Sequence, residues 1–479
     1  MRKLSFALAA LLSVSTAFTA CGGEAAPSGD STAAGDTTPV TTEPAYDYPT
    51  LDCGGEEFSI LNGSTTWGFY HYIDHETQTG DMLDDAVFER NRGLEERFNF
   101  KMKVTEDDIM KLTEKIRTSL MAGDSEWDVI FNGATYNGSL VTEGMYYNLA
   151  EIPEFRLDEP WWEQSVIEEA TINDAIYFAM TDFTLFGIES AWCVFFNEDM
   201  LSDLGLDRPY QLVRDGKWTL DELRNYAKAG MNLNGDDSYA WNEDGNCIYG
   251  LTSSYALSHT LIISIGERYI SRDKDGNMLF TLETDRFYDF VDKWTAFTGS
   301  AGEFMSKNGS GKTHYEEIFR SGRALFLGAE LKASQKYRDL DASFGIVPTP
   351  KLDEAQKEYH SSISKAAPVM CVPVTNTTPE RAGIIMDALT YESYDTILPI
   401  FYDVTLSQKG LRNEESIEML QIIRDTRFFD VGDAYGWTTK VQNSVRNALD
   451  QGNAGVASLI AAEKPAIDAA IKATMDLLK

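Results

Sequence analysis

An α/β fold with a mostly parallel sheet is what this sequence predicts, on three observations. Residues 56–131 alternate short apolar strands with amphipathic helices. Strand, helix, strand, helix, strand at that spacing makes two βαβ units, whose strands run parallel. The alternation then resumes in the middle of a chain of 479 residues. That length exceeds what one core usually serves, so two large lobes are expected.

The N-terminus comes before any fold. Arg2 and Lys3 precede residues 4–20, which are apolar to small and end in small side chains. This is the pattern of a secretory signal peptide, too short and too rich in Ser and Thr for a membrane span. Residues 22–48 are Gly, Ala, Ser, Thr, Pro and acids, and no Lys or Arg occurs between Lys3 and Arg90. Such a stretch cannot bury enough apolar surface to offset chain entropy, so an extended acidic tether is expected.

The folded region opens with EEFSIL, a strand. The next segment carries Leu83, Val87, Leu94 and Phe98 on one helical face. Phe98, Phe100, Met102 and Val104 then alternate with polar residues, as a strand does. Ile109, Leu112, Ile116 and Leu120 make a second helix, stopped by Gly123, and WDVIF at 127–131 is a buried strand. Ligands of such sheets sit beyond the carboxyl ends of the strands, which points to the loops after Leu61 and Phe131.

Further on, AWCVFFNEDML reads as a strand entering a helix. Thr219 and Glu222 form a capping box for a helix that ends at Gly230. DRFYDFVDKWTAF is another amphipathic helix, and ALFLG and SFGIVPTP read as strands. Helices are expected at 379–391, 414–424, 438–450 and 464–478.

The charge and the cysteines limit the function. A formal charge of −35, from 41 basic and 76 acidic side chains, repels nucleic acid and anionic headgroups. Cleavage before Cys21 removes two positive charges from that −35 and leaves −37. Cys53, Cys193, Cys247 and Cys371 have no metal-ligand spacing and read as buried free thiols. No cofactor motif stands out. DKDGN at 273–277 begins like a calcium loop, but Thr284 stands at the twelfth position, so an Asp-Gly hairpin turn is the better reading. The acidic loop around 232–246 is a weak calcium candidate. NGSGK at 308–312 matches a phosphate loop only in part. His71 and His75 are four apart without the HExxH pattern of zinc hydrolases.

Phe18–Cys21 resembles the bacterial lipobox, in which the Cys becomes the lipidated N-terminus; the family prefers Leu where Phe18 stands. Ordinary signal-peptidase cleavage after Ala20 is the alternative. Several strings, in order, resemble an extracellular solute-binding protein of the sugar-type class that serves ABC importers. They are ERFNFKMKV, AGDSEWDVIF, WCVFFNEDMLSDLGLDRP with GKWTLDELRNYA, FRSGRALFLG, FGIVPTPK and TPERAGIIMDAL. The resemblance implies a type II periplasmic-binding-protein-like fold, two α/β lobes joined by crossing segments and closing on solute like a hinged clamp. It puts the crossings near 181–190, after Lys351 and after the helix ending near Glu392. Lobe 1 is then 51–186 plus 358–398, and lobe 2 is 187–357 plus 399–479. It also implies a lipid-anchored monomer on the outer face of the cell membrane that hands its solute to permease subunits and catalyses nothing.

Sugars offer apolar C–H faces and many hydroxyls, so their sites want aromatic platforms with carboxylates and amides at the rim. Trp67, Phe69 and Tyr70 follow the first strand, and Tyr136 and Asn137 follow the 127–131 strand. Trp161 and Trp162 are adjacent, so in an extended segment one of them belongs to the core. The resemblance adds Asp182 and Glu189 at the hinge, with Trp192 beside them, and Glu330 after ALFLG. Trp437 sits where a C-terminal loop can reach the cleft. Each Trp has core packing as its simpler explanation, and Asp182 and Glu189 have hinge ion pairs. A surface glycoside hydrolase with a hidden carboxylate pair, or a receptor for peptides or other polar solutes, remains open.

Overall fold

The computed structural model describes residues 46–65, 73–306, 314–337, 340, 342–406 and 414–478. The signal peptide, Cys21, most of the tether, Trp67, Phe69, Tyr70, His71 and the NGSGK stretch lie outside the described residues.

The strands, in chain order, are β1 (Glu56–Ser64), β2 (Phe100–Asp108), β3 (Val129–Gly133), β4 (Trp192–Asn197), β5 (Tyr249–Ser253), β6 (Ile270–Arg272) and β7 (Met278–Phe280). They continue with β8 (Phe304–Ser306), β9 (Ala324–Glu330), β10 (Phe344–Pro348), β11 (Ser361–Ser362), β12 (Pro368–Cys371) and β13 (Arg427–Phe428). Two sheets organise the molecule. One has the order β12-β3-β1-β2, the other β10-β4-β9-β5-β8.

The first sheet grows from the two predicted βαβ units. Phe58, Ile60 and Leu61 of β1 are fully buried, and β1 pairs in parallel with β2 and β3. The helix Met82–Phe98 joins β1 to β2. Asp81 caps it by accepting from the Leu83 and Asp84 N–H groups, and Asn99 ends it in the left-handed region. β2 runs past Val104 to Asp108, because β1 itself continues to Ser64 and the ladder carries both strands to the Ser64–Asp108 pair. The following helix therefore starts at Leu112 rather than Ile109, and ends on Gly123 at φ 80° as expected.

Neither sheet is wholly parallel. β12 runs antiparallel to β3, and β4 runs antiparallel to both β9 and β10. The cause is the connectivity. The chain leaves the first sheet after β3 and enters the second at β4. It returns after β10 to β12, then leaves again so that the helix Glu414–Asp425 packs on β10. A strand entered straight from a crossing starts at the end where the βαβ strands finish, so it must run against them.

The C-terminal helices Thr439–Asp450 and Val456–Leu477 pack on each other and on the elements around the second sheet. The last helix begins eight residues before the predicted 464 and runs through Pro465. Pro465 reads as a start signal in sequence, yet burial of Val456 and Ile460 carries the helix past it. The Asp-Gly hairpin forms between β6 and β7, with a five-residue loop at 273–277 instead of a two-residue turn. Asp273 Oδ1 accepts from the Asp275 and Asn277 N–H groups and holds that loop. Cys53, Cys193, Cys247 and Cys371 are buried and unbridged.

One buried carboxylate ties the first lobe together. Asp387, on the helix Pro379–Glu392, is 1 % exposed. It accepts from Arg156 Nε at 2.7 Å and also from Arg156 Nη2, and from the indoles of Trp161 at 2.8 Å and Trp162 at 3.1 Å. The two tryptophans converge because residues 157–161 form turns and a bend, not the extended segment that would send them apart. Asp387→Ala should cost about 3–5 kcal/mol, the usual result of stranding one partner of a buried pair. Thermal unfolding of the purified variant measures it.

Candidate functional site

The carboxyl ends of the parallel strands are where an α/β sheet leaves room for a ligand. In the first sheet that end is built by Gly133–Asn137 and by residues 365–367. The Ala134 and Thr135 N–H groups bond to the Ala367 and Lys365 carbonyls at 3.0 Å each. In the second sheet it is built by Tyr255 after β5, Ser306 at the end of β8 and Glu330 at the end of β9. Trp192, first in the antiparallel β4, lies opposite Glu330 in the ladder. Ser253 pairs with Ser306, which aligns β5 and β8 along the same edge.

The helix Thr439–Asp450 touches both edges. Gln442 Oε1 accepts from Lys365 Nζ at 3.1 Å, and the Arg446 guanidinium lies 4.2 Å over the Tyr255 ring. The segment before this helix is clamped as well. Gly138 has no room for a side chain, since a Cβ there would stand 2.6 Å from Tyr435 Cα.

Apart from the two large sheets, β11 and β13 form a short parallel pair. Arg427 of β13 is buried there between two carboxylates, Glu163 at 2.6 Å and Asp182 at 3.0 Å. Glu189 is fully buried and accepts from Gln335 Nε2 at 2.8 Å. These contacts hold the hinge-side acids in place.

The other expected residues are distributed as follows. Glu330 is pushed up by burial, against the Lys332 ammonium 3.2 Å away. Tyr136 is half-buried, and its hydroxyl reaches Met110 Sδ at 2.7 Å. Asn137 is fully buried and donates to the Asn132 and Gly133 carbonyls. Trp161 and Trp162 stand on Asp387. Trp437 is 6 % exposed, stacks on Tyr435 at 4.8 Å and donates to Thr474 Oγ1.

Sequence reasoning missed Lys365, Tyr255, His259, Gln442 and Arg446. Tyr255 follows β5, a strand the periodicity did not reveal because all five of its residues are buried. His259 is held down to about 4 by burial, with the Lys365 and Arg446 charges adding to the effect and Asp433 opposing it. Asp430 is shifted up by burial and by its neighbour Asp433, while it accepts from the Tyr269 and Gly432 N–H groups.

Two surface grooves lie elsewhere. One, of about 830 Å³, runs between the β6–β7 hairpin and the last helix over Met278, Phe280, Ile471 and Met475. The other, of about 480 Å³, lies around Arg208, Tyr210 and Arg214. Neither is lined by the edge residues of the sheets.

Two helix-flanked sheets in one chain make a mixed α/β fold of the kind that two-lobed periplasmic binding proteins have. The chain belongs to the bacterial extracellular solute-binding protein family, whose model matches residues 92–396. Solved structures share the fold. The galacto-N-biose/lacto-N-biose I-binding protein of an ABC transporter from Bifidobacterium longum, in complex with lacto-N-biose, aligns with a TM-score of 0.60 at 12% identity. It covers 89% of this chain and 99% of its own. An ABC substrate-binding protein of Listeria monocytogenes in complex with cycloalternan aligns at 0.56 and 12%, covering 87% and 99%. The maltose/maltodextrin-binding domain from Bdellovibrio bacteriovorus, bound to maltotriose, aligns at 0.51 and 12%, covering 88% and 99%. No curated protein matches the sequence. Among the described residues, no helix is long and apolar enough to cross a membrane.

His259 gives this region a pH signature. Unfolded, its imidazole takes a proton near about 6.5, whereas in the folded protein it stays neutral down to about 4. Between those values the unfolded state binds more protons, so stability falls as pH falls through that window. His259→Gln should therefore lose less of its melting temperature than the parent protein between pH 7 and pH 4.5. Equal losses in both proteins would contradict the assignment.

Proposed function

We propose that this protein is the substrate receptor of an ABC importer and that its solute is a carbohydrate, most simply an oligosaccharide. The observation that carries this reading is the shared edge. The helix Thr439–Asp450 meets the end of each sheet, through Lys365 beside β3 and Tyr255 after β5, and this reading puts Trp192, Glu330 and Tyr136 along the same edge. Aromatic rings flanked by carboxylates, amides and ammonium groups suit a ligand of C–H faces and hydroxyls. That solved relatives in fold were captured with lacto-N-biose, cycloalternan and maltotriose points the same way. Capture needs no chemistry from the protein. Closure of lobe 1, taken as 51–186 plus 358–398, on lobe 2, taken as 187–357 plus 399–479, buries the solute and presents a form the permease subunits recognise. Affinity then includes the free energy of closing as well as the contacts.

In this reading Cys21 is lipidated, and the acidic tether lets a monomeric receptor work beside its transporter on the outer face of the membrane. Trp67 and Tyr70 are candidate solute contacts in this reading, and Asp182 and Glu189 fix the hinge.

A thermal-shift screen tests the solute class. Mono- and oligosaccharides should raise the melting temperature, by about 3 kcal/mol of stabilisation at a hundred times Kd. Stabilisation by peptides and by no sugar would remove the carbohydrate assignment, and turnover of a chromogenic glycoside would point to a hydrolase. For the anchor, Cys21→Ser should be shed into the medium, with retention on the membrane as the contrary result.

A further inference from the structure

We propose that the helix Gln164–Ala170 is a latch, gripped by Arg268, Arg272 and Arg427, that ties lobe 1 to lobe 2 and sets how readily the clamp closes on its solute. The inference rests on the receptor reading above, with the lobe bounds taken there, and deepens it: it adds positioning residues that stand away from the carboxyl ends of the strands.

The helix has seven residues, too few to hold together without outside contacts. Those contacts sit at both of its ends. Its N-cap, Glu163, pairs with Arg427 at 2.6 Å. In its last turn, Glu169 pairs with Arg268 at 2.6 Å. Arg272 Nη2 donates to the Glu168 carbonyl at 3.2 Å, to the Glu169 carbonyl at 3.4 Å and to the Thr171 carbonyl. The last carbonyls of a helix have no partner within it and form the negative end of its dipole, so a guanidinium there meets both needs. Just beyond, Asn173 and Asp174 turn the chain at φ 52° and 62°, and Asn173 Nδ2 donates to the Leu478 carbonyl at 3.1 Å.

The two sides of this grip come from different lobes. The helix falls within 51–186 and is rooted there. Trp161 and Trp162, just before it, stand on Asp387, and the Glu163 N–H bonds to the Met180 carbonyl at 3.0 Å. Arg268, Arg272, Arg427 and Leu478 all belong to the other lobe. Val166 and Ala170 are fully buried, and the helix packs on Arg427–Phe428 and Val431–Ala434. The Arg268 guanidinium in turn lies 4.1 Å over the Phe428 ring. The lobes also touch at the sheet ends in this conformation, where Lys365 of lobe 1 bonds to Gln442 of lobe 2.

The chemistry of the contact suits a latch. Burial pushes the Glu169 carboxyl up, and the Arg268 and Arg272 charges oppose that shift while Glu168 adds to it. Arg268 and Arg272 are themselves partly or fully at the surface. Partly exposed charge pairs hold weakly, so this end of the grip can release and re-form as a hinged clamp requires. A contact made when the lobes are together and lost when they part favours the first state by its own free energy, and solute affinity moves with that population.

The test compares the full chain with a variant carrying Arg268→Ala and Arg272→Ala together. Arg427 stays in place, because removing it strands two buried acids and unfolds the region. Small-angle scattering without added solute should give the variant a larger radius of gyration than the parent. Calorimetry with lacto-N-biose, maltotriose and mannotriose should show the responding sugar bound about ten-fold more weakly, as loss of one set of charged hydrogen bonds predicts. Saturating sugar should bring the two radii together. A radius without solute equal to the parent's overturns the latch, and a lowered melting temperature beside it assigns the arginines to the stability of one lobe. An unchanged sugar affinity overturns it as well. If the parent binds none of the three sugars, the carbohydrate reading fails, and the radii alone decide whether the latch stands.

Discussion

Strand direction at the crossings is the constraint on which the rest of this structure depends. A βαβ strand finishes at the carboxyl edge of its sheet, and a chain that leaves for the other lobe departs from there. It then starts its next strand at the matching edge of the second sheet. β4 and β12 are the two strands made this way, and both are antiparallel to their neighbours. The same rule places Trp192 opposite Glu330, and the 365–367 segment against the end of β3. The arrangement of that edge is therefore a by-product of connectivity before any side chain is chosen.

Side chains then fix the geometry of that edge. Arg427 of β13 holds Asp182 and Glu163, and Gln335 holds Glu189. A buried cation between two carboxylates gains specificity of position more surely than it gains stability. Away from the hinge, Asp387 does the same for the first lobe through Arg156 and two indoles. The acids that sequence inspection marks as ligand candidates thus have structural duties in the described residues.

Much of the fold was legible because its signals are local. Helix 82–98 announces itself by Leu83, Val87, Leu94 and Phe98, and the Thr219 cap by its hydroxyl three residues from Glu222. The Asp-Gly turn marks the hairpin at 273–277. What was hidden is hidden for physical reasons. β5 and β12 are buried on both faces, so Tyr249–Ser253 and Pro368–Cys371 show no alternation. The last helix passes through Pro465, where a local rule predicts a start. For the site, Tyr136 and Glu330 could be found because they follow visible strands. Tyr255 follows an invisible one, and Arg446 acquires its role only through a ring nearly two hundred residues away in the chain. The pairing of Trp161 with Trp162 on one carboxylate depends on a turn that the sequence does not spell out.

The placement of the tryptophans has a spectroscopic consequence. Trp162, Trp218 and Trp294 are fully buried, and Trp161 and Trp437 are committed to Asp387 and Thr474. Their emission reports whether the lobes are folded and is largely indifferent to what occupies the edge between them. Trp192, first in β4 and opposite Glu330, is the indole placed to report on that edge.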